Sequence, residues 1–356
     1  MFAKIETLAL SLFFVGFGLS FSACAHARQG GLAGLDVYGT ERVTVEQVRE
    51  AEGPLLGQCF ELYESGADSD AFAKCVQDLN ARIVGSYDFA YAKFSFIGYF
   101  NPTGRPVYAT LDVVEKADKA TRMDFLPRPK GEFKDPDGVL AAWESYMDTG
   151  WQLVKSGEIT TARPDCVAFH CLFGHQHPRL ARYEKLFLTA ASKNLSELKQ
   201  IFLHDHDDGH RAAAAFVLAY MKDGKALIDL LASRVTDESS EVRNDIIRVF
   251  SDIAFHHPEL ELPLDGVIKV LNFPETTDRN KASAVIYALL SHSEQVEKYR
   301  PVLMKKTVPI LLRMLRLLQP NNHDWAYQSL KILAGQDFGE RNYGAWDAWF
   351  AQQERL

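Results

Sequence analysis

The sequence predicts a mainly α-helical fold: an α-solenoid of paired helices preceded by a small α+β domain. Two observations carry this. An acidic turn followed by an arginine stands before an apolar helix twice, at Asp207-Asp208-Gly209-His210-Arg211 and at Asp237-Glu238-Ser239-Ser240-Glu241-Val242-Arg243. The two arginines lie 32 residues apart, a spacing of stacked helical repeats. Upstream, the hydrophobic periodicity switches between strand and helix in the order strand, helix, helix, strand, strand. At 356 residues with 47% hydrophobic and 24% charged residues, the chain has the composition of a globular protein with room for two domains.

Residues 1–27 read as an export signal, with Lys4 at the start, an apolar run from Leu8 to Phe21, and the small-residue patterns Ala23-Cys24-Ala25 and Ala25-His26-Ala27. A lipoprotein signal ending at residue 23 is the alternative, because Ser22-Ala23-Cys24 resembles a lipobox; Cys24 is then the lipidation candidate, and contact with a membrane is expected only through it. No other stretch is long enough to span a bilayer. The expected location is therefore exported, periplasmic or secreted, or else a membrane-anchored lipoprotein.

Residues 28–116 form the α+β domain. Leu35 to Thr40 is a short strand. Thr44-Val45-Glu46-Gln47 has capping-box spacing, with Val43 and Val48 placed as a hydrophobic staple, so a helix starts at Thr44 and runs toward Tyr63. A break is expected at Gly53-Pro54, since proline lacks the amide donor and clashes with the preceding turn. The second helix spans about Ser69 to Val84. Phe89 to Tyr99 and Val107 to Glu115 are strands, joined as a hairpin by Asn101-Pro102-Thr103-Gly104. Val107, Ala109, Leu111 and Val113 alternate with Tyr108, Thr110 and Asp112, the period of a half-buried strand. This element order, with "VYGTERVTVEQV" and "GRPVYATLDVVEK", is similar to POTRA-like domains; the resemblance implies docking, by strand addition to an exposed sheet edge.

Residues 117–134 are polar and charged, with Pro127, Pro129 and Gly131, and read as a linker. Residues 135–185 form a helical cap and a Cys/His hinge, with a helix over Gly138 to Lys155 that places Leu140, Trp143, Met147, Trp151 and Val154 on one side. Pro178 then opens the first repeat helix.

Residues 186–356 form the solenoid. Ala212, Ala215, Phe216 and Ala219 lie on one face of the first repeat's second helix, and Val242, Ile246, Val249, Phe250 and Ile253 on that of the next. Neither pair can bury that face alone, so neighbours stack. The pattern continues at intervals of about 36 to 44 residues: Asp278-Arg279-Asn280-Lys281 precedes Ala282, Val285, Ile286 and Leu289, and Asn322-His323-Asp324 precedes Trp325, Leu330 and Leu333. "HRAAAAFVLAY" and "SSEVRNDIIRVFSDIA" resemble the second helices of HEAT repeats, and "LAGQDFGERNYGAWDAWF" looks like the terminal cap of exported bacterial HEAT arrays. That resemblance covers about half the chain; it implies protein interaction and supplies no catalytic residues.

Setting Cys24 aside, Cys59, Cys75, Cys166 and Cys171 are an even set in a chain expected to be exported, which suggests two disulfides among three formal pairings. Local pairing is favoured over buried free thiols: Cys59 and Cys75 fall on the apolar faces of consecutive helices, and Cys166 and Cys171 lie in one short segment.

Two histidine-rich stretches are the candidates for chemistry. "CVAFHCLFGHQHP" carries His170, His175 and His177 beside the second cysteine pair, and "HDHDDGH" carries His204, His206 and His210 among Asp205, Asp207 and Asp208. These types ligate zinc or copper, yet the first lacks the common Cys-x2-Cys spacing, and the second coincides with an inter-helix turn where Asp caps the next helix. No metal and no cofactor is expected. Tyr299 to Leu318, with Lys305, Lys306, Arg313 and Arg316, is read as a solenoid helix pair interrupted at Pro309 in preference to a membrane-surface helix. No nucleophile elbow, phosphate loop or Cys/His dyad appears. A net charge of −8 without a basic cluster argues against a nucleic-acid partner. The leading expectation is an exported, non-enzymatic scaffold that binds a protein partner. The alternatives are a metal-dependent hydrolase using the His/Asp/Cys cluster and a cell-envelope docking factor acting through the POTRA-like domain.

Overall fold

The computed structural model describes residues 31–99, 104–159, 166–174 and 176–353; the segment expected to be an export signal, Cys24, most of the Asn101 turn and His175 lie outside them. The described chain is mainly helical with one small three-stranded sheet.

The first unit is β1 (Gly34–Tyr38), α1 (Val45–Ser65), α2 (Ser69–Tyr87), β2 (Tyr91–Gly98) and β3 (Val107–Val114). The capping box at Thr44 forms as the sequence dictates: Gln47 N donates to Thr44 Oγ1 at 3.3 Å, and Thr44 N to Gln47 Oε1 at 2.8 Å. The break expected at Pro54 does not occur. α1 continues through it, because Pro54 and Glu50, whose carbonyl loses its donor, both face solvent, where water can donate the missing bond. The sheet order is β1-β3-β2, with β1 parallel and β2 antiparallel to β3. One sheet face packs on α1 and α2 around Leu35, Phe94, Phe96, Ala109 and Leu111. Cys59 and Cys75 join the two helices at a Cα–Cα distance of 5.6 Å.

After a single helical turn, α3 (Lys119–Arg122), come α4 (Val139–Ser156), α5 (Pro178–Lys193), α6 (Leu195–His204), α7 (Asp208–Leu218), α8 (Gly224–Ala232), α9 (Ser240–His256), α10 (Leu264–Asn272), α11 (Thr276–His292), α12 (Val296–Met314), α13 (Pro320–Ala334) and α14 (Tyr343–Gln353). Pro178 is the first residue of α5, the position where its missing donor costs nothing. α12 likewise passes through Pro301 and Pro309 without the interruption expected at Pro309; the carbonyl freed there belongs to exposed Lys305. α4 packs on α5 and α7, then α7 on α9, α9 on α11, and α11 on α13, with α6, α8, α10 and α12 alongside. One continuous hydrophobic core fills these contacts.

A repeated arginine device joins successive helices. Arg211 sends Nη1 to the carbonyls of its own turn, Asp205 at 2.9 Å and His206 at 3.2 Å, and Nη2 forward to Asp237 at 2.7 Å. Arg243 repeats this, with Nη1 on the carbonyls of Asp237 (2.8 Å) and Glu238 (3.1 Å) and Nη2 on Asp278 (2.7 Å). Arg279 takes the carbonyl of Pro274 at 2.6 Å, but its forward acid is Asp112 of β3, at 2.5 Å. All three arginines are buried. Asp237 and Asp278 therefore bind the preceding arginine, whereas Asp207 does cap α7, accepting from His210 N at 3.0 Å.

The sheet thus docks on the array with the face that sequence alternation marks as polar. Asp112 and Thr110 are buried. Thr276 N and Oγ1 donate to Asp112 Oδ2 at 3.0 and 2.7 Å, which caps α11 from another part of the chain. Asp36 of β1 accepts from Leu318 N and Gln319 N at 2.8 and 2.9 Å, and Lys93 pairs with Glu275 at 3.1 Å. Residues 117–134 then run back along the turns of the array. Arg122 donates to the carbonyl of Asn272 (3.2 Å), Leu126 N to that of Thr236 (2.8 Å), and Gly131 N to that of His204 (2.9 Å). This ordered strap returns the chain to the far end of the array, where α4 begins.

Candidate functional site

α11 is enclosed on almost every side from Thr276 to Leu290, because α9 and α13 flank it and α10 and α12 pack beside it. Polar residues on such a helix are buried whether or not they find partners. Among the described residues Asn280 and Lys281 do not: Lys281 Nζ and Asn280 Oδ1 have no hydrogen-bond partner there, and neither do Ser251 Oγ and Asp245 Oδ2 on α9. Burial is the main force pushing the Lys281 ammonium down to about 7, with repulsion from Arg248 adding to it. Burial pushes the Asp245 carboxyl up. Arg248 makes no hydrogen bond or ion pair among the described residues.

These groups border one narrow cleft. α9 contributes Arg248 and Ser251, α11 contributes Asn280, Lys281 and Ala284, and α13 contributes Asn321 and Trp325. Its enclosed room, about 10 Å³, fits a single water-sized group. Beside it lies a patch of half-buried rings: Tyr287 and Trp325 are 5.2 Å apart between centroids, and Phe255 is 6.3 and 6.4 Å from them. A wider groove between α10 and α12 is less informative, because its lysines are already paired, Lys269 to Asp124 and Lys306 to Asp265 at 2.8 and 2.7 Å.

The cysteine-histidine segment reaches the same region of α9. Cys166 and Cys171 stand at disulfide distance, with Cα atoms 5.5 Å apart. The tightened loop anchors through Phe169 N to the carbonyl of Ala219 at 3.0 Å and buries His170, whose Nδ1 is 2.7 Å from Asp252 Oδ2. That carboxylate fixes the orientation of the imidazole, and its other nitrogen, Nε2, is buried without a partner among the described residues.

The remaining sequence candidates are dispersed. His177 caps α5, its Nδ1 accepting from Arg179 N at 3.3 Å. His204 is exposed at the end of α6. His206 and His210 lie 3.4 and 3.1 Å from the carboxylate of Asp205, which also accepts from Asp207 N at 2.9 Å, so this acid organises the turn. Among the described residues no three His, Cys, Asp or Glu side chains converge as metal ligands.

The cleft escaped the sequence reading for a definable reason. Asp278-Arg279-Asn280-Lys281 was expected to be the turn before a helix, but α11 starts at Thr276, so the four residues occupy its first turns. A solvated lysine thereby becomes an enclosed one. The available signal was Ser283 together with Asn280 and Lys281: polar residues spread around a helix whose apolar positions already point in several directions.

No protein-family model matches the chain, and no curated protein or solved structure matches it.

Proposed function

We propose that the chain is an exported, non-enzymatic protein-interaction scaffold, in which HEAT-like helix pairs form a solenoid whose inner face, lined by α9, α11 and α13, engages a protein partner. The observation that carries this reading is the threefold arginine device. A unit that binds its own turn and the acid of the next one stacks in one direction, and nearest-neighbour stacking is the construction of solenoids. In this reading the α+β domain closes the row by supplying Asp112 where a further repeat would supply its acid. The half-buried rings and unpartnered polar atoms on α9, α11 and α13 have the aromatic-rich, incompletely satisfied character of a contact surface.

Export is supported by the two cysteine pairs, which are compatible with an extracellular location, and by the apolar N-terminal sequence. Among the described residues no helix is long and apolar enough to cross a membrane. The POTRA-like element order supports a role for the first unit in placing the array, since one face of its sheet is spent on internal docking.

A pull-down from the cell envelope of the producing organism tests the reading. The wild-type chain is expected to retain a discrete protein that Trp325→Ala loses and Lys305→Ala, on exposed α12 surface, keeps. Equal retention by all three chains would remove the inner face as the binding surface.

A further inference from the structure

We propose that the cleft between α9, α11 and α13 receives the carboxylate of an acidic side chain from an extended segment of the partner, while the apolar neighbours of that side chain lie on Phe255, Tyr287 and Trp325. The proposal rests on the interaction-surface reading and adds the chemistry of what is bound.

Charge supplies the first argument. Lys281 and Arg248 face one another across the cleft rim with no ion pair of their own. The acids near Lys281 are Asp245 on α9 and Asp278 on α11; Asp278 is committed to Arg243 at 2.7 and 3.0 Å, and α13 lines the cleft with the uncharged Asn321 and Trp325. Asp245 can balance one cation, and a bound carboxylate would answer the second when Lys281 carries its proton, in a site largely removed from water. A charge-assisted hydrogen bond is strongest in such surroundings.

Shape supplies the second. Room of about 10 Å³ admits a water-sized group and no ring. One oxygen of a side-chain carboxylate on a flexible methylene stalk can enter end-on, with the other oxygen left at the rim. A chain-terminal carboxylate, carried directly on the backbone, brings too much bulk with it. The three rings beside the opening then fit the apolar residues that flank the acid in an extended peptide. Since Lys281 is poised near neutrality, a bound anion restores its charge, and binding above about pH 7 takes up a proton.

The test uses isothermal titration of the oxidised full chain with three peptides. One is Ala-Phe-Glu-Phe-Ala with both ends blocked, the second has Gln for Glu, and the third is Ala-Phe-Ala-Phe with a free C-terminal carboxylate. The Glu peptide is expected to bind about tenfold or more tighter than either of the others, the loss of one charged hydrogen bond. Lys281→Met and Arg248→Met are each expected to weaken it by a similar factor, and Arg316→Ala to leave it unchanged. Heats measured in two buffers of different ionisation enthalpy should reveal proton uptake. Equal affinity of the Glu and Gln peptides overturns the proposal without reliance on any variant, and tighter binding of the free-acid peptide overturns it in favour of a chain terminus. If the envelope partner is retained by Lys281→Met but lost from Trp325→Ala, the interaction surface stands and the carboxylate does not.

Discussion

Replacing Asp112 with alanine removes the carboxylate that pairs with buried Arg279 where the sheet meets the helices. Arg279 is fully enclosed, and its side chain would keep three uncharged partners, the carbonyl of Pro274 at 2.6 Å, the Thr276 hydroxyl at 3.2 Å and the ring of Tyr38, 3.8 Å from the guanidinium carbon. Thr276 would lose the acceptor of both its amide and its hydroxyl, so the start of α11 is uncapped as well. Stranding one partner of a buried pair costs about 3–5 kcal/mol, a large part of the roughly 5–15 kcal/mol that holds an ordinary domain folded. Asp112→Asn keeps an acceptor for Thr276 and is expected to cost less. Urea unfolding followed by far-ultraviolet dichroism measures both, and a double-mutant cycle with Arg279→Met isolates the pair: the double variant should be at least about 2 kcal/mol more stable than the sum of the single effects predicts. A cost for Asp112→Ala below about 1 kcal/mol, in the range of surface pairs, or strict additivity with Arg279→Met, would refute the docking argument.

Other outcomes follow from the same geometry. Lys281 titrates at about 7 in the folded chain and at 10.5 when exposed, so between those values the unfolded chain binds more protons and stability rises with pH; Lys281→Met should flatten that rise and raise the urea midpoint at neutral pH, and an unchanged pH profile would contradict enclosure of the amine. Cys59→Ser with Cys75→Ser opens the loop that ties α1 to α2 and should lower stability by about 3 kcal/mol, read as the urea midpoint against wild type. Pro54→Ala, at an exposed position inside α1, should raise the thermal midpoint, since proline in a helix interior is about 3 kcal/mol less favourable than alanine; a lowered midpoint would show that α1 depends on its proline. His170→Leu leaves Asp252 without its imidazole and should destabilise by about 1–3 kcal/mol, with Asp252→Asn in the same background restoring part of the loss.

Local chemistry made most of the secondary structure legible. The capping box at Thr44, the pairing of β2 and β3 as a hairpin and the first-position proline of α5 each depend on neighbours within a few residues, and each is present as the sequence predicts. Cysteine pairing was legible for a similar reason, as the faces of adjacent helices bring Cys59 and Cys75 together. What the sequence concealed depends on distant partners. Asp112 looks like the solvent side of a half-buried strand until the array covers it, and residues 117–134 look like a linker until their amides meet the carbonyls of Thr236 and His204. The acidic turns were recognised, but Asp237 and Asp278 serve the preceding arginine more than their own helix, a role visible only once the helices are packed together. The cleft was hidden most deeply, since a helix expected to start only after Lys281 exposes that lysine on paper, whereas α11 starts at Thr276 and enclosure by α9 and α13 buries it.

The central claim, that the face formed by α9, α11 and α13 binds a protein, is tested most directly by photocrosslinking in living cells from a benzophenone amino acid placed at Tyr287 and, separately, at Lys305. The account predicts a discrete protein adduct from Tyr287, beside the ring of Trp325, and none from Lys305 on exposed α12 surface. Adducts from Lys305 alone, or from neither position, would contradict it.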